Sequence, residues 1–345
     1  MSNTKKQGTP HKNIPIFIPH MGCPHQCVFC DQRAISGHGT FDFSSVQGEI
    51  ERAIDTLPDG TTAEIAYFGG SFTAIDRDLM IRLLDLAQGY VDAERASGIR
   101  FSTRPDAVGN DILDVLSRYT ISAIELGLQS MDDGVLRLCR RGHTAQLARE
   151  ACRRIVARGY SLVGQMMLGL PGSDEQKELA TAREICDVGA EAVRVYPTVV
   201  FDGTALSTLM KRGAYTPLTN EQATLRCARV LDLFEQRGVQ VLRVGLCASD
   251  MLCSSHVLGG ANHPALGELA YAALFGQRMA DLLQAQKATQ GRVAEFLVPC
   301  GKLSQALGQH RANAAALSAR FSLAGVKIRE RQDLTGTQVV LQSLT

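Results

Sequence analysis

Three thiols, Cys23, Cys27 and Cys30, fall within eight residues in the run Cys23-Pro-His-Gln-Cys27-Val-Phe-Cys30. Three thiolates can hold three irons of a cubane iron–sulfur cluster and leave the fourth iron without a protein ligand. That open corner can chelate a small molecule through an amino and a carboxylate group. Zinc is the competing reading. A structural zinc takes four protein ligands, commonly paired Cys or His at short spacing. No second Cys-x-x-Cys is present, so His20, His25 or His38 would have to complete a zinc site, and Cys30 could instead be a core cysteine. The spacing favours the cluster and leaves the other two readings open.

Four further groups of unusual residues each follow a short apolar run: Gly69-Gly70-Ser71, Thr103-Arg104-Pro105-Asp106, Gln129-Ser130 and Gly169-Leu170-Pro171-Gly172. Glycine lets a backbone approach a ligand closely, although a Gly pair also suits an ordinary strand-to-helix turn. A guanidinium matches a carboxylate as a fork, but Arg104 can equally pair with Asp106, and Arg141 can be a solvated helix charge beside Arg137 and Arg140.

The runs that would carry these groups read as strands at 14–19, 63–68, 99–103, 123–128, 161–168 and 192–196, with a further candidate at 239–244. Helical spacing marks 43–57, 76–91, 110–118, 133–138, 145–157, 174–188 and 220–237 between or after them. Strand–helix alternation predicts a parallel sheet with right-handed crossovers. The expected class is α/β, a partial (β/α)6 TIM-like barrel with a small α+β C-terminal extension. In barrels of this kind chemistry collects at the C-terminal strand ends, where all five unusual segments fall. The expected division is a loose arm at 1–12, a core at 13–248 and an extension at 249–345. Within the extension, helices are expected at 266–283 and 304–321, a strand-like start at 297 and a last strand at 338–342.

The charge balance is +1, so the whole molecule is not a magnet for polyanions. Residues 287–345 nevertheless carry eight Lys or Arg against three acids. Ten cysteines scattered along a long chain indicate a reduced, intracellular setting. No apolar run approaches the ~18 residues of a membrane span, and no export segment follows the basic N-terminus. A soluble cytoplasmic protein is expected.

Cys-x-x-x-Cys-x-x-Cys after a first strand, with an aromatic before the last Cys, resembles the radical S-adenosylmethionine (radical SAM) superfamily. The segments YFGGSFTAID (67–76), STRPDAV (102–108), IELGLQSMDDGVLRLCRRGHT (124–144), MMLGLPG (166–172) and VYPTVVFDGTALSTLMKRGAY (195–215) resemble the Elongator catalytic subunit and its bacterial relatives. The likeness covers about residues 14–280. It implies a [4Fe–4S] cluster on Cys23, Cys27 and Cys30, S-adenosylmethionine as cofactor, and reductive cleavage to a 5′-deoxyadenosyl radical. It also implies a reductant such as flavodoxin or ferredoxin.

The resemblance further places Phe29 beside the adenine, Gly69 and Gly70 at the methionyl amino group, and Ser71 and Thr73 as added hydroxyl contacts. Gln129 and Arg141 match the ribose and carboxylate contacts of the related oxygen-independent coproporphyrinogen oxidases. Gln165 stands where those oxidases carry a ribose-binding Asp. Leu170 falls near the adenine and Arg104 near cofactor or substrate. His143 is expected on the polar rim without catalytic duty, and Tyr196 faces substrate or packs.

Elongator-type enzymes add an acetyltransferase domain and act with acetyl-CoA on tRNA wobble uridine. This chain is too short beyond the core for a complete domain of that kind, and Gly267 replaces an Arg of the family in HPALGELA (263–270). No second cysteine trio appears, so one cluster is expected, with Cys247 and Cys253 as buried bystanders. The leading expectation is a radical SAM enzyme of unassigned substrate with RNA as a candidate. A radical enzyme acting on a small molecule or tetrapyrrole and a non-catalytic metal-binding protein are the alternatives.

Overall fold

Seven of the apolar runs pair side by side in chain order. They are β1 (His11–Ile18), β2 (Thr62–Gly69), β3 (Gly98–Thr103), β4 (Ile121–Gln129), β5 (Ser161–Leu168), β6 (Ala192–Pro197) and β8 (Gln240–Val244), every neighbouring pair parallel. Parallel neighbours require long crossovers. These are α1 (Phe43–Asp55), α2 (Arg77–Asp92), α3 (Asn110–Leu116), α4 (Asp133–Leu138), α5 (Ala145–Ala157), α6 (Glu175–Asp187), α7 (Ala205–Lys211) and α8 (Asn220–Gln236). The expected partial barrel is therefore present, and the candidate at 239–244 is its seventh strand. The structure is a computed structural model that describes residues 11–18, 21–31, 41–246, 256–286 and 288–345. Most of the arm, His20, His38, Cys247, Cys253 and Lys287 lie outside the described residues.

The two faces of the sheet follow from period-two alternation. Ile14, Ile16, Ile65, Tyr67, Ile99, Phe101, Ile124, Leu126, Leu162, Met166, Val193 and Val195 all join one core under the helices. Ring stacking of Tyr67 on Phe72 at 4.8 Å carries that core up to the loop after β2. The alternate residues carry an ion-pair ladder. Arg100 pairs with Glu64 at 2.6 Å and Glu125 at 3.1 Å, and Arg194 grips Glu125 with two bonds of 2.7 and 3.0 Å. Glu125 is 2% exposed, so it depends on both guanidiniums. Removing one member of such a pair typically costs about 3–5 kcal/mol.

Helix starts are fixed by side-chain caps, which set the length of each loop at the strand ends. Asp76, Asp132, Thr144 and Asp174 accept from the backbone N–H of Leu79, Val135, Leu147 and Lys177.

The loop after β1 and the loop after β2 are interlocked through glycines. Gly70 N–H donates to Ile18 O at 2.8 Å, and Ser71 N–H to Met21 O at 2.9 Å. A Cβ on Gly70 would lie 1.9 Å from Met21 O. Gly22 has φ 70°, and a Cβ there would lie 2.3 Å from Ser71 O. Glycine at 70 is thus required by backbone meeting backbone.

Beyond the sheet, β7 (Val199–Phe201) pairs antiparallel with β9 (Val257–Gly260). Helix α9 (Leu266–Gln284) joins two cores. Its Ala270 and Leu274 pack under the seven-stranded sheet, whereas Phe275, Met279 and Leu283 pack with a second sheet. That sheet contains β10 (Val293–Pro299) between β11 (Gly325–Arg331) and β12 (Val340–Leu344).

Three details differ from the sequence reading. The helix expected over 304–321 is split into α10 (Leu303–Leu307) and α11 (Ala312–Phe321). Gly308, His310 and Arg311 between them all have positive φ, which a continuous helix cannot accommodate. Strand β11 was not anticipated, although Val326 and Ile328 alternate along it with the exposed Lys327 and Arg329. The short β7 and β9 lack a periodic signal altogether.

Substituting Gly70→Ala should lower the unfolding free energy by about 1–3 kcal/mol, the usual range for overpacking. Gly89→Ala, in α2 with open space around it, should instead raise it by about 0.5–1 kcal/mol. Paired urea denaturation curves check both signs.

Candidate active site

The cysteine loop is held at three points. Val28 N–H donates to Cys139 O at 3.2 Å, and Val28 O accepts from Leu206 N–H at 2.8 Å. The Val28 side chain is buried with Val135, Cys139, Leu170, Val200, Leu206 and Tyr215. Within the loop, Cys30 N–H closes a turn onto Cys27 O at 3.1 Å. The loop thus docks on segments that follow β4, β5 and β6, although its own strand is β1.

Cys23, Cys27 and Cys30 are all free thiols and partly buried. Burial pushes the Cys23 thiol up, against the nearby Arg104 guanidinium. Burial, reinforced by Cys27 and Cys23, pushes Cys30 up to about 12. Mutual repulsion among three neighbouring sulfurs is what a metal cation relieves, since ligation displaces the protons. Among the described residues no three His, Cys, Asp or Glu side chains gather as a single bound ion would require.

Two guanidiniums converge on the loop. Arg141 donates from Nη1 to Cys27 Sγ at 3.2 Å and from Nη2 to Gly127 O at 2.6 Å. Arg104 grips Asp106 through Nε and Nη2 at 2.9 Å each and also donates to the Arg141 carbonyl. The Arg104–Asp106 pair considered from sequence is therefore present. Burial raises the Asp106 carboxyl, but Arg104 outweighs it and holds the group below its ordinary value.

Around these cations lies a set of buried polar atoms without partners: Arg104 Nη1, Gln129 Oε1 and Arg141 Nε. Such atoms are rare in folded proteins and call for a ligand or water. Two residues here also hold left-handed backbone, Gln129 at φ 65° and Arg140 at φ 55°. The Gln129 turn follows an irregularity in the β4–β5 register between Gly127 and Gln129, which redirects the chain at the strand end. Strain of this type costs of order 1–3 kcal/mol and concentrates at functional sites.

His143 departs from its expected place on the rim, being only 7% exposed. Burial, then the Arg141 and Arg104 cations, push it down to about 3; Asp106 and the Leu128 backbone oppose this and lose. The imidazole is neutral at ordinary pH.

The other expected residues divide by surroundings. Ser71 and Thr73 are buried and bonded to Thr103, at 2.9 and 2.6 Å between hydroxyls, and Thr73 also donates to Ala107 O at 2.6 Å. They tie the loop after β2 to the end of β3. Phe29 packs beside the small core under the cysteine loop, and Leu170 is within it at 2% exposure. Gln165 is half-buried on β5, in register with Arg194. Tyr196 hydrogen-bonds Arg194 and so joins the ladder.

Sequence reading missed Glu178 and Tyr215. Glu178 is 2% exposed. It accepts from Gly169 N–H at 2.7 Å and from Arg226 at 3.0 Å, while Tyr215 OH donates to Gly169 O at 2.7 Å. Together they fix the loop after β5. An acid one helical turn into α6 carries no local signal of this role, because Arg226 arrives from α8.

Comparisons with known proteins bear on the family and the fold. The description "Radical SAM superfamily" matches residues 17–185, and "Radical_SAM C-terminal domain" matches 190–274. The chain is 33% identical over 259 residues to a tRNA uridine(34) acetyltransferase of Dehalococcoides mccartyi, covering 65% of this chain and 56% of that one. A protein of the same name from Methanocaldococcus jannaschii is 26% identical over 291 residues, covering 72% and 53%. Elongator complex protein 3 of Drosophila melanogaster is 32% identical over 240 residues, covering 64% and 42%. The chain thus spans about half the length of these three relatives. Among solved structures, an archaeal Elp3 of Methanocaldococcus infernus shares the fold with a TM-score of 0.63 at 21% identity, over 78% of this chain and 64% of that one. Among the described residues no helix is long and apolar enough to cross a membrane. The matched regions take in the end of β1, the cysteine loop and the six strands that follow it in the seven-stranded sheet, and the chain belongs to the radical SAM superfamily, enzymes whose cofactors are a [4Fe–4S] cluster and S-adenosylmethionine.

Proposed function

We propose that this chain binds a [4Fe–4S] cluster through Cys23, Cys27 and Cys30 and reductively cleaves S-adenosylmethionine to a 5′-deoxyadenosyl radical that acts on RNA. The observation that carries the chemistry is the cysteine loop ringed by buried polar atoms without partners. When bound, the cluster supplies one electron to the sulfonium, breaking its carbon–sulfur bond. A low-potential donor such as flavodoxin or ferredoxin provides that electron.

The protein's share is binding and orientation. Arg104 and Arg141 supply positive charge beside three thiolates. Gln129 offers an amide oxygen to a hydroxyl, as does Gln165, since an amide can bond a ribose hydroxyl from either end. Gly69 and Gly70 form the backbone edge for the methionyl amino group, and Phe29 the apolar side for adenine. Leu170 acts from beneath by supporting Val28. Ser71 and Thr73 hold the β2 and β3 ends together, which keeps Arg104 at its post. His143, neutral, can accept or donate one hydrogen bond without adding charge.

RNA as substrate is supported by the names of the relatives. The basic C-terminal stretch adds less than its composition promises. Arg329 pairs with Glu295 at 2.9 Å and Arg331 with Asp333 at 2.6 Å, which leaves the exposed Lys327 beside partly neutralised neighbours.

Three outcomes are expected. Anaerobically reconstituted protein given dithionite and S-adenosylmethionine should release 5′-deoxyadenosine, seen by chromatography. Cys27→Ala should abolish release and lose the four-iron spectrum; an intact four-iron cluster in that variant would overturn the ligand assignment. For the substrate, gel-shift titrations with tRNA should show binding that weakens with salt through counterion release; absence of binding, with turnover of a small metabolite, would redirect the reading to that class.

A further outcome concerns pH. His143 takes a proton near pH 6.5 when unfolded and only near 3 when folded. The unfolded state therefore binds more protons in that window, and stability falls as pH drops from about 6.5 toward 3. In His143→Gln the loss of unfolding free energy between pH 7 and pH 4.5 should be smaller than in the parent, by urea titration at each pH.

A further inference from the structure

Arg141, which the resemblance matches to a cofactor carboxylate, also touches a cysteine sulfur. Its Nη1 donates to Cys27 Sγ at 3.2 Å. The rest of the side chain is fixed so that this bond is maintained. Nη2 donates to Gly127 O at 2.6 Å. A Cβ on Gly127 would lie 3.4 Å from Nη2 and 3.0 Å from Gln129 Nε2, so the glycine makes room for both side chains. The backbone is held from both sides, with Arg141 N–H donating to Leu136 O at 3.0 Å and Arg104 donating to Arg141 O. Arg141 is 6% exposed, so water does not screen its charge. Arg104 acts on Cys27 and Cys23 through its charge alone, without a bond to sulfur.

We propose that Arg141 is a positioning and redox-tuning residue. Its guanidinium hydrogen-bonds the Cys27 thiolate and raises the reduction potential of the cluster that Cys27 helps to hold. The inference rests on the cluster assignment made above. The physics is that of a charge-assisted hydrogen bond. One-electron reduction adds a negative charge that spreads onto the sulfurs, and a cation bonded to one of them stabilises the reduced form more than the oxidised form. Hydrogen bonds to the sulfurs and net charge are two of the quantities that set the potential of such clusters. The electron comes from the low-potential donor already named, no proton is taken up, and no covalent bond changes in this step.

The test is an EPR-monitored redox titration of the reconstituted protein without S-adenosylmethionine, so that carboxylate binding plays no part. Arg141→Met should shift the midpoint to more negative potential, by at least the amount that makes reduction tenfold less favourable, about 59 mV for one electron. Arg141→Lys, which keeps the charge and loses the fork, should fall between the two. Arg137→Gln removes an exposed positive charge four residues away and should leave the midpoint in place. A wild-type midpoint in Arg141→Met with its four-iron EPR signal intact overturns the proposal while leaving the cluster assignment standing. Loss of the four-iron signal from the parent protein itself would instead overturn the assignment. If Arg141→Met assembles no cluster, protein labelled with 15N-arginine decides. Pulsed EPR of the reduced parent should show a 15N hyperfine coupling that is absent in Arg141→Lys, and no such coupling in the parent overturns the proposal.

Discussion

The contact on which the site depends is the passage of the Met21 carbonyl over Gly70. Two loops that leave adjacent strands share one space, and they can do so only where no side chain stands. Once Ser71 N–H has bonded Met21 O, the position of the cysteine loop relative to the end of β2 is set. The hydroxyls of Ser71 and Thr73 extend that frame to Thr103, and so to Arg104. A chain of short polar contacts, each buried, thus leads from the thiols to the guanidiniums that face them.

The opposite side of the loop is held by apolar contact. Val28 sinks into a small core furnished by α4, the loop after β5 and α7. Glu178 and Tyr215 hold the β5 loop from behind. Burying a carboxylate is costly unless it is paired and bonded, and Glu178 has an arginine, an amide and a serine hydroxyl around it. Burial still leaves its carboxyl above the ordinary value. Rigidity at the strand ends is thus obtained from buried charge on one side and close backbone packing on the other, with the thiols between.

Two guanidiniums dominate the electrostatics of the site. Arg104 and Arg141 concentrate positive charge beside three sulfurs, and His143 remains neutral because its burial, and then those same cations, suppress its protonation. Such a field suits thiolate ligands and an anionic carboxylate. It also explains how Asp106 remains ionised despite its burial, with Arg104 clamped across it.

The sequence by itself determined the strand–helix alternation, because period-two and period-3.6 patterns are local. It also determined that five unusual segments follow strands, and so share one rim. The cysteine spacing and the neighbouring motifs identified the family for the same reason, since ligand spacing within a loop is a local property. Tertiary structure alone decided which neighbour each polar group meets. That Arg141 touches Cys27, 114 residues away in the chain, that Gly70 is shaped by Met21, that Leu170 supports Val28, and that His143 is buried all depend on strands brought together by the sheet. The Ala-rich run across Gly308 likewise reads as one helix, and only the positive φ at Gly308, His310 and Arg311 splits it. Periodicity records which face of an element is buried; it does not record what lies across the gap.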